Sequence, residues 1–192
     1  MALSPNALTT VAAFKAYMEL DMEDISQDST IEMTINAVSD WIEGETDRKY
    51  ALAEYEKTFT GNGRQLILLD YYPVNSATVF RIMPDGNSEF TNWTLKKDMG
   101  ALEAKEGWNG FEYTVSYAAG YVLPKDETEE NARTLPAELE NTCIEIVAIR
   151  MEKKNSNHLA VEVTGPLRDE FLPCLPYHLQ KVIDRYKKKV IA

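Results

Sequence analysis

The spacing of apolar residues changes twice along this chain, and that change constrains the fold more than any other feature. Two helical patterns come first, about sixty residues of strand-like alternation follow, and helical spacing returns at Leu135. Apolar residues three or four positions apart predict helices, whereas strict alternation predicts half-buried strands. The order predicts an α+β fold, with a small bundle of about four helices and an antiparallel β-hairpin or meander inserted between helices 2 and 3.

The first three helical segments predict a common core. Thr9 or Thr10 can cap the first helix, and Ser29 with Glu32 has the spacing of a capping box for a second helix that runs to about Arg48. The apolar stripes of these helices and of the third are the only ones wide enough to meet. Their predicted core contains nine residues, namely Phe14, Ile31, Ile35, Val38, Ile42, Leu139, Cys143, Ile146 and Val147.

The strand region predicts one small antiparallel sheet. The turn sequence Gly61-Asn62-Gly63-Arg64 predicts a hairpin between strands at 54–60 and 65–69, because glycine and asparagine tolerate positive φ. Aromatic residues on the strands, including Tyr55, Phe59 and Tyr113, favour core packing over base stacking, since few basic residues lie between them. Strands at 76–83, 91–95 and 111–117 complete the sheet. Apart from the short strand at 91–95, the charged stretch 87–107 is predicted to be a long loop that no core needs, and 159–173 an irregular connector.

The chain of 192 residues is predicted to form a single domain. It divides into N-terminal helices over 1–52, an inserted β region over 53–121 that packs against the bundle, a core helix over 135–158 and a C-terminal helix over 174–192. The last helix carries its own apolar stripe, formed by Leu179, Val182, Ile183, Tyr186 and Val190.

Charge is unevenly distributed along the sequence. The net charge is −11, which disfavours broad adhesion to nucleic acids or anionic membranes. Residues 1–57 carry 12 acidic and 4 basic groups, whereas residues 181–192 carry 1 acidic and 5 basic groups. An acidic body with a basic end can pair with copies of itself or with another partner of opposite charge. The other interpretation is that Lys187, Lys188 and Lys189 form only a solvated helix end, where cations suit the helix dipole.

The sequence predicts no catalytic residue, no metal site and no cofactor. Neither His158 nor His178 has partners spaced for a catalytic triad, and zinc-site and P-loop spacings are absent. The acidic loop from Asp21 to Asp28 lacks the glycine and the terminal glutamate of an EF-hand, so a solvated loop is favoured over a Ca²⁺ site. The isolated Cys143 and Cys174 predict free thiols in a reducing compartment. A signal-peptide pattern and an apolar run of membrane-spanning length are also missing.

Six short motifs occur in a characteristic order. They are Leu8-Thr9-Thr10-Val11, the segment 37–43 with Trp41-Ile42, the segment 68–74 ending in Pro73-Val74, Tyr117-Ala118-Ala119-Gly120-Tyr121, the segment 135–139, and the segment 175–186. In this order the chain resembles the head–tail connector proteins of tailed bacteriophages, also called adaptor or head-completion proteins. The similarity covers most of the chain, although 87–107 and 159–173 are longer than in the simplest members.

The resemblance implies a structural virion protein, not an enzyme. Such a protein forms a ring of about twelve copies beneath the portal, extends the DNA channel and joins the head to the tail. Its implied partners are its own copies, the portal protein, a downstream neck or tail protein, and double-stranded DNA that passes through without sequence-specific binding; no membrane partner is implied. The implied location is the virion neck, after a stage in the host cytoplasm before assembly.

The resemblance also places a portal contact in the C-terminal helix. Its predicted partner interface comprises Leu179, Val182, Ile183, Arg185, Tyr186, Lys187, Lys188 and Lys189. The alternative is a fourth bundle helix with a solvated basic end. Two other functions also stay open: another neck or tail part, such as a stopper or tail-completion protein, and a small enzyme or binding module whose site the sequence does not reveal.

Overall fold

The computed structural model describes residues 2–155, 161–164, 167–170 and 175–188. Within these residues lie four α-helices, which are α1 (Val11–Tyr17), α2 (Asp28–Thr46), α3 (Ala137–Asn155) and α4 (Tyr177–Tyr186). Together with antiparallel sheets they confirm the predicted α+β class. The chain forms two compact units: a helical unit of Met1–Tyr50 with Leu123–Ala192, and a sheet unit of Ala51–Val122. The prediction of one domain, with the sheet region packed on the bundle, stays a prediction.

The core of the helical unit lies between α2 and α3. Both α1 and α4 contact these two helices. All nine residues predicted for the helical core are buried, with at most 2% of any of them exposed, which confirms that prediction. Leu8, Leu123, Leu179 and Ile183 join them. Full burial of an aliphatic or aromatic side chain contributes about 1.5–3 kcal/mol. The packing of these apolar residues between the helices is therefore the main source of stability of the helical unit.

The predicted cap of α1 agrees with the structure, whereas the predicted cap of α2 does not. Thr10 caps α1, since its Oγ1 accepts a 3.1 Å bond from the Ala13 N–H. The predicted capping box of Ser29 and Glu32 is wrong. The helix α2 already begins at Asp28, its N-cap residue Gln27 makes no side-chain capping bond, and Ser29 lies inside the first turn. The Asp28 carboxylate instead suits the positive end of the helix dipole.

The sheet unit contains two sheets where one was predicted. Its strands are β1 (Ala53–Thr60), β2 (Leu66–Leu68), β3 (Val74–Ile82), β4 (Ser88–Glu89), β5 (Thr94–Lys96), β6 (Ala101–Glu103) and β7 (Glu112–Ala119). One sheet has the order β1-β7-β3-β4 and the other β2-β6-β5. The predicted hairpin is therefore wrong, because β1 pairs along its whole length with β7, and β2 pairs with β6.

The glycine-rich turn after β1 lets its backbone approach the backbone of residues 108–111 closely. The Gly61 N–H donates to the Phe111 carbonyl oxygen at 2.8 Å, and the Gly63 N–H donates to that of Trp108 at 2.7 Å. A Cβ atom on Gly61 would lie 1.7 Å from the backbone carbonyl oxygen of Asn109, so only glycine fits there. The motif that predicted a local hairpin thus joins β1 to the distant segment before β7.

Aromatic side chains fill the core of the sheet unit, as the sequence predicts. The rings of Trp108 and Tyr113 are fully buried with centroids 5.2 Å apart, and Phe59 and Phe90 pack against both. The stretch 87–107 supplies β4, β5 and β6, and its Leu102 is also fully buried. The prediction that this stretch is a loop that the core does not need is wrong, because Leu102 and Ala104 belong to the buried core of the sheet unit.

The segment between α3 and α4 also contains strands. Val161–Thr164 forms β8 and Leu167–Glu170 forms β9, and the two pair antiparallel. The prediction of a wholly irregular connector is therefore wrong. The helix α3 is described to Asn155, and α4 ends at Tyr186, within the predicted 174–192. Cys174, His158 and residues 189–192 lie outside the described residues.

Candidate interaction surfaces

The described residues contain no group of three or more histidine, cysteine or acidic side chains that could hold a metal ion. In that part of the chain, no helix has both the length and the apolar character to cross a membrane. Burial raises the pKa of the Cys143 thiol to about 12, so this cysteine is not a thiolate nucleophile. His178 is exposed, with Nε2 2.9 Å from Glu145 Oε2. The features described next are three surfaces of the described residues.

The apolar stripe of α4 packs on the chain's own bundle. Leu179 and Ile183 are one turn apart and buried, and α4 contacts both α2 and α3. This packing is that of a fourth bundle helix, the alternative interpretation of this segment. A partner contact by Leu179 and Ile183 stays a prediction.

Among the remaining predicted interface residues, the described cations Arg185, Lys187 and Lys188 lie at one end of the helical unit, which we call the basic end. Arg185 Nη1 donates to the Glu138 carboxylate at 2.7 Å, and Lys187 Nζ lies 2.9 Å from Asp184 Oδ1. This hydrogen bond lowers the pKa of Asp184 and raises that of Lys187. Val182 and Tyr186 are half-buried, and Lys189 lies outside the described residues. A partner contact at this end stays a prediction.

The basic end is attached to the C-terminal end of α2. The Lys188 backbone N–H donates to the Thr46 carbonyl oxygen at 2.8 Å, and Arg48 Nη1 donates to the Tyr186 carbonyl oxygen at 3.5 Å. The Lys188 ammonium lies 3.9 Å from the exposed Asp47 carboxylate. These contacts place the positive segment beside the end of α2, where free carbonyl groups favour cations.

A second surface lies at the opposite end of α2. The acidic–apolar loop, which we define as residues 17–25, exposes Tyr17, Leu20, Met22 and Ile25 by 52, 44, 53 and 74%. Several large apolar side chains exposed close together in sequence are typical of a binding surface. Sequence reasoning treated this stretch only as a solvated acidic loop. The signal it missed is the placement of apolar residues between the acids in Leu-Asp-Met-Glu-Asp-Ile.

The buried Lys15 organises this loop. Its Nζ lies 2.6 Å from Asp28 Oδ1 and donates to the Asp24 carbonyl oxygen at 2.7 Å. The side chain of Asp24 in turn accepts the Ser26 N–H at 2.9 Å, and this backbone bond lowers the pKa of the Asp24 carboxyl. The Lys15 ammonium thus joins the loop to the first residue of α2.

A third surface is the outer face of the β1-β7-β3 sheet. Its residues follow from the register, in the rows Glu54–Ala118–Ser76, Glu56–Ser116–Thr78 and Thr58–Thr114–Phe80. The Thr58 and Thr114 hydroxyl groups are 3.1 Å apart. These nine positions combine acidic, hydroxyl and small side chains with one aromatic residue, and no lysine or arginine occupies any of them. The face therefore repels anions.

Comparison with known families decides the family of this protein. The family model described as "HCP: Head completion protein" matches residues 7–189. The chain belongs to the head completion protein family. This confirms the resemblance drawn from the order of the six motifs. A comparison with curated proteins finds no match.

Solved structures with the same fold include chains from two particle necks and from one virion. A chain from "Neck of empty GTA particle computed with C6 symmetry" superposes with a TM-score of 0.60 at 19% identity, covering 100% of this chain and 95% of that one. A chain from "Neck of native GTA particle computed with C12 symmetry" gives 0.59 at 19%, covering 100% and 94%. A chain from "Virion of native gene transfer agent (GTA) particle" gives 0.59 at 17%, covering 100% and 95%.

One motif of this head completion protein has a clear structural reason. In Tyr117–Tyr121, Gly120 has φ of 111°, and its N–H donates to the Pro73 carbonyl oxygen at 2.9 Å. A Cβ atom there would lie 2.4 Å from the Ala51 oxygen. Glycine is required because the start and the end of the sheet unit pass each other at this point.

Proposed function

We propose that this protein is a structural component of the virion neck that assembles as a ring beneath the portal, extends the DNA channel and joins the head to the tail. The observation that carries the proposal is the family match, which spans residues 7–189. The likeness of the whole fold to chains from particle necks supports it. About twelve copies is the proposed number, by analogy with the C12 symmetry of one such neck.

The physical character of the chain suits this role. A net charge of −11 suits a channel through which DNA passes without adhering, because carboxylates and phosphates repel each other. The acidic–apolar loop and the basic end supply surfaces for neighbours. We propose no catalytic activity, in keeping with a structural family.

The proposed partners are its own copies, the portal above and another neck or tail protein below. The proposed location is the virion neck, with the host cytoplasm before assembly. A stopper or tail-completion role is the second candidate, and the helix–strand–helix order favours the adaptor over a mostly β stopper. No observation on the described residues favours the enzyme alternative.

Mixing the purified protein with assembled portal tests the proposal. Electron microscopy and native mass spectrometry should show a ring of about twelve copies on one face of the portal. The protein without portal is the control, and it shows whether the ring needs a template. A chain that stays monomeric and fails to bind the portal at all concentrations would contradict the proposed function.

A further inference from the structure

Arg81 in β3 lies against a cluster of aromatic rings in the sheet unit. It is the cross-strand partner of the buried Tyr113, so the two side chains share one face of the sheet. The guanidinium carbon lies 4.7 Å from the ring centroid of Phe111, 5.1 Å from that of Phe90 and 5.9 Å from that of Tyr113. These cation–π contacts hold the side chain in place, but the rings supply no conventional acceptor for its N–H donors.

The guanidinium of Arg81 has no carboxylate partner among the described residues. Its Nε is buried there without a hydrogen-bond partner, and the side chain forms no ion pair with any residue of that part of the chain. Two other cations of the same unit are paired, since Lys57 lies 2.9 Å from Asp70 and Lys96 lies 3.0 Å from Glu103. A buried donor without an acceptor is costly, and the fork of a guanidinium matches a carboxylate. The arrangement therefore fits a carboxylate that comes from another molecule.

The surroundings of Arg81 have the composition of a protein interface. We define the arginine patch as Arg81, Met83, Phe90 and Phe111. Phe111 is 44% exposed and Met83 is 36% exposed. Met83 lies beside Arg81, because its Sδ accepts a 3.8 Å bond from Ser88 Oγ and Ser88 is a cross-strand partner of Arg81. Arginine, methionine and aromatic residues are enriched at interfaces, where a few such residues supply most of the binding energy.

The acidic–apolar loop carries the groups that complement this patch. Glu19 and Glu23 are exposed, and neither has an ion pair within the described part of the chain. Leu20, Met22 and Ile25 supply exposed apolar side chains beside them, and no lysine or arginine occurs from 19 to 25. The loop and the patch therefore match in charge and in apolar character, which is the complementarity that selects a partner.

We propose that the arginine patch of one copy binds the acidic–apolar loop of a neighbouring copy, with a carboxylate of Glu19 or Glu23 accepting hydrogen bonds from the Arg81 guanidinium. The inference rests on the proposed function, since it names a contact between subunits of the proposed ring. The two surfaces differ, so the contact is heterologous, and such contacts generate a ring when their rotation closes.

A charge-swap experiment tests this contact. The patch variant carries Arg81→Glu, and the loop variant carries Glu19→Lys with Glu23→Lys. Ring formation on the portal, measured by native mass spectrometry, should fall roughly tenfold or more for either variant alone, because like charges then meet in the proposed contact. An equimolar mixture should recover assembly, because the patch of each variant then meets a loop of opposite charge. A chain with all three substitutions should recover it as well.

Arg81→Met separates binding from folding. Methionine keeps an apolar chain that packs on the aromatic rings, and it replaces a buried donor that lacks an acceptor. We expect an unchanged melting temperature of the isolated protein, together with a loss of ring formation of roughly tenfold or more. A lower melting temperature with normal assembly of the folded protein would show that Arg81 is only structural, and it would overturn the proposal.

Matched controls separate the contact from net charge. Lys97→Glu changes the net charge as much as Arg81→Glu does, at an exposed position of the sheet unit outside the patch. Glu129→Lys with Glu130→Lys changes it as much as the loop variant does, at exposed positions outside the loop. Both controls should assemble normally. Losses in the controls as large as those in the patch and loop variants would overturn the specific contact.

The outcomes distinguish this inference from the proposed function. A wild-type protein that never forms a ring on the portal would overturn the proposed function. If the wild-type ring forms, normal assembly of both variants, or losses that mixing does not rescue, would overturn only the contact between the patch and the loop. Failure of single copies of either variant to bind the portal would assign that variant's surface to the portal instead, which also overturns the contact between copies.

Discussion

Ser39 Oγ lies 3.8 Å from Cys143 Sγ in the centre of the α2–α3 interface. The same oxygen accepts a 3.0 Å bond from the Leu8 N–H, and all three residues are fully buried. One hydroxyl thus joins the N-terminal segment, α2 and α3. Because buried polar groups are almost always paired, this contact fixes how the N-terminal segment enters the bundle.

Ser39→Ala should lower the free energy of unfolding by about 1–3 kcal/mol. The substitution leaves the Leu8 N–H buried without an acceptor, and the desolvation of that group is then uncompensated. Urea denaturation measures the change. The matched control is Ser29→Ala at an exposed position in α2, which should cost nothing, because Ser29 does not cap the helix. A loss at Ser29 equal to that at Ser39 would contradict this account.

Cys143 should resist alkylation in the native protein. Its thiol is fully buried, and burial raises its pKa to about 12, so almost no thiolate is present at pH 8. A Cys174→Ser variant isolates Cys143, and mass spectrometry after iodoacetamide treatment follows the labelling. We expect modification only in denaturant, with a native rate at least a hundredfold below that of free cysteine. Rapid native labelling would show that the α2–α3 core opens readily.

Ile146→Ala should cost about 2–5 kcal/mol of unfolding free energy, because the α2–α3 core cannot collapse fully around the lost volume. Ile25→Ala removes the same atoms from a largely exposed side chain and should change stability by less than about 0.5 kcal/mol. Thermal and urea unfolding of both variants measure the contrast. Equal losses of unfolding free energy at the two positions would contradict the assignment of Ile146 to the core.

Leu102→Ala tests whether the stretch 87–107 is structural. Leu102 is fully buried in the core of the sheet unit, so we expect a loss of about 2–5 kcal/mol. Met99→Ala changes a nearby residue that is 54% exposed and should cost less than about 1 kcal/mol. Hydrogen exchange of β7 amides reports on the sheet unit directly. If β7 protection survives in the Leu102 variant, the stretch is a dispensable loop after all.

Arg133→Ala should destabilise the helical unit in a pH-dependent way. Burial raises the pKa of Glu140, and the Arg133 guanidinium, 2.8 Å away, opposes that rise. Without Arg133 the buried carboxylate lacks its counter-charge, and the half-exposed position of Arg133 limits the expected loss to about 1–2 kcal/mol at pH 7.

The sign of the pH effect follows from the direction of the shift. A carboxyl whose pKa is raised on folding contributes stability at low pH and loses it as the pH rises through the folded pKa. The deficit of Arg133→Ala relative to wild type should therefore be small near pH 4 and grow toward pH 7. Adding Glu140→Gln should make the deficit independent of pH. A constant deficit in Arg133→Ala alone would contradict an ionised Glu140 in the native protein.

The helical core was predictable residue by residue. Ile35, Val38 and Ile42 repeat at helical spacing with the polar residues Asn36, Ser39 and Asp40 among those between them, and such a stripe gives the helix one main apolar face to bury. Cys143 and Ile146 follow the same rule in α3. The capping box failed because Gln27 and Asp28 begin the helix earlier without a side-chain cap, so two residues with the right spacing lie inside the first turn.

The sequence by itself determined the family, the order of the helices around a central strand region, and the residues of the helical core, since spacing and motifs are local properties. Only the tertiary structure decided that β1 pairs with β7 across more than fifty residues, that Leu102 is a core residue, and that Leu179 and Ile183 belong to their own bundle. The physical reason is that periodicity records which side of a segment is apolar, whereas the partner that covers this side is chosen by contacts between distant parts of the chain.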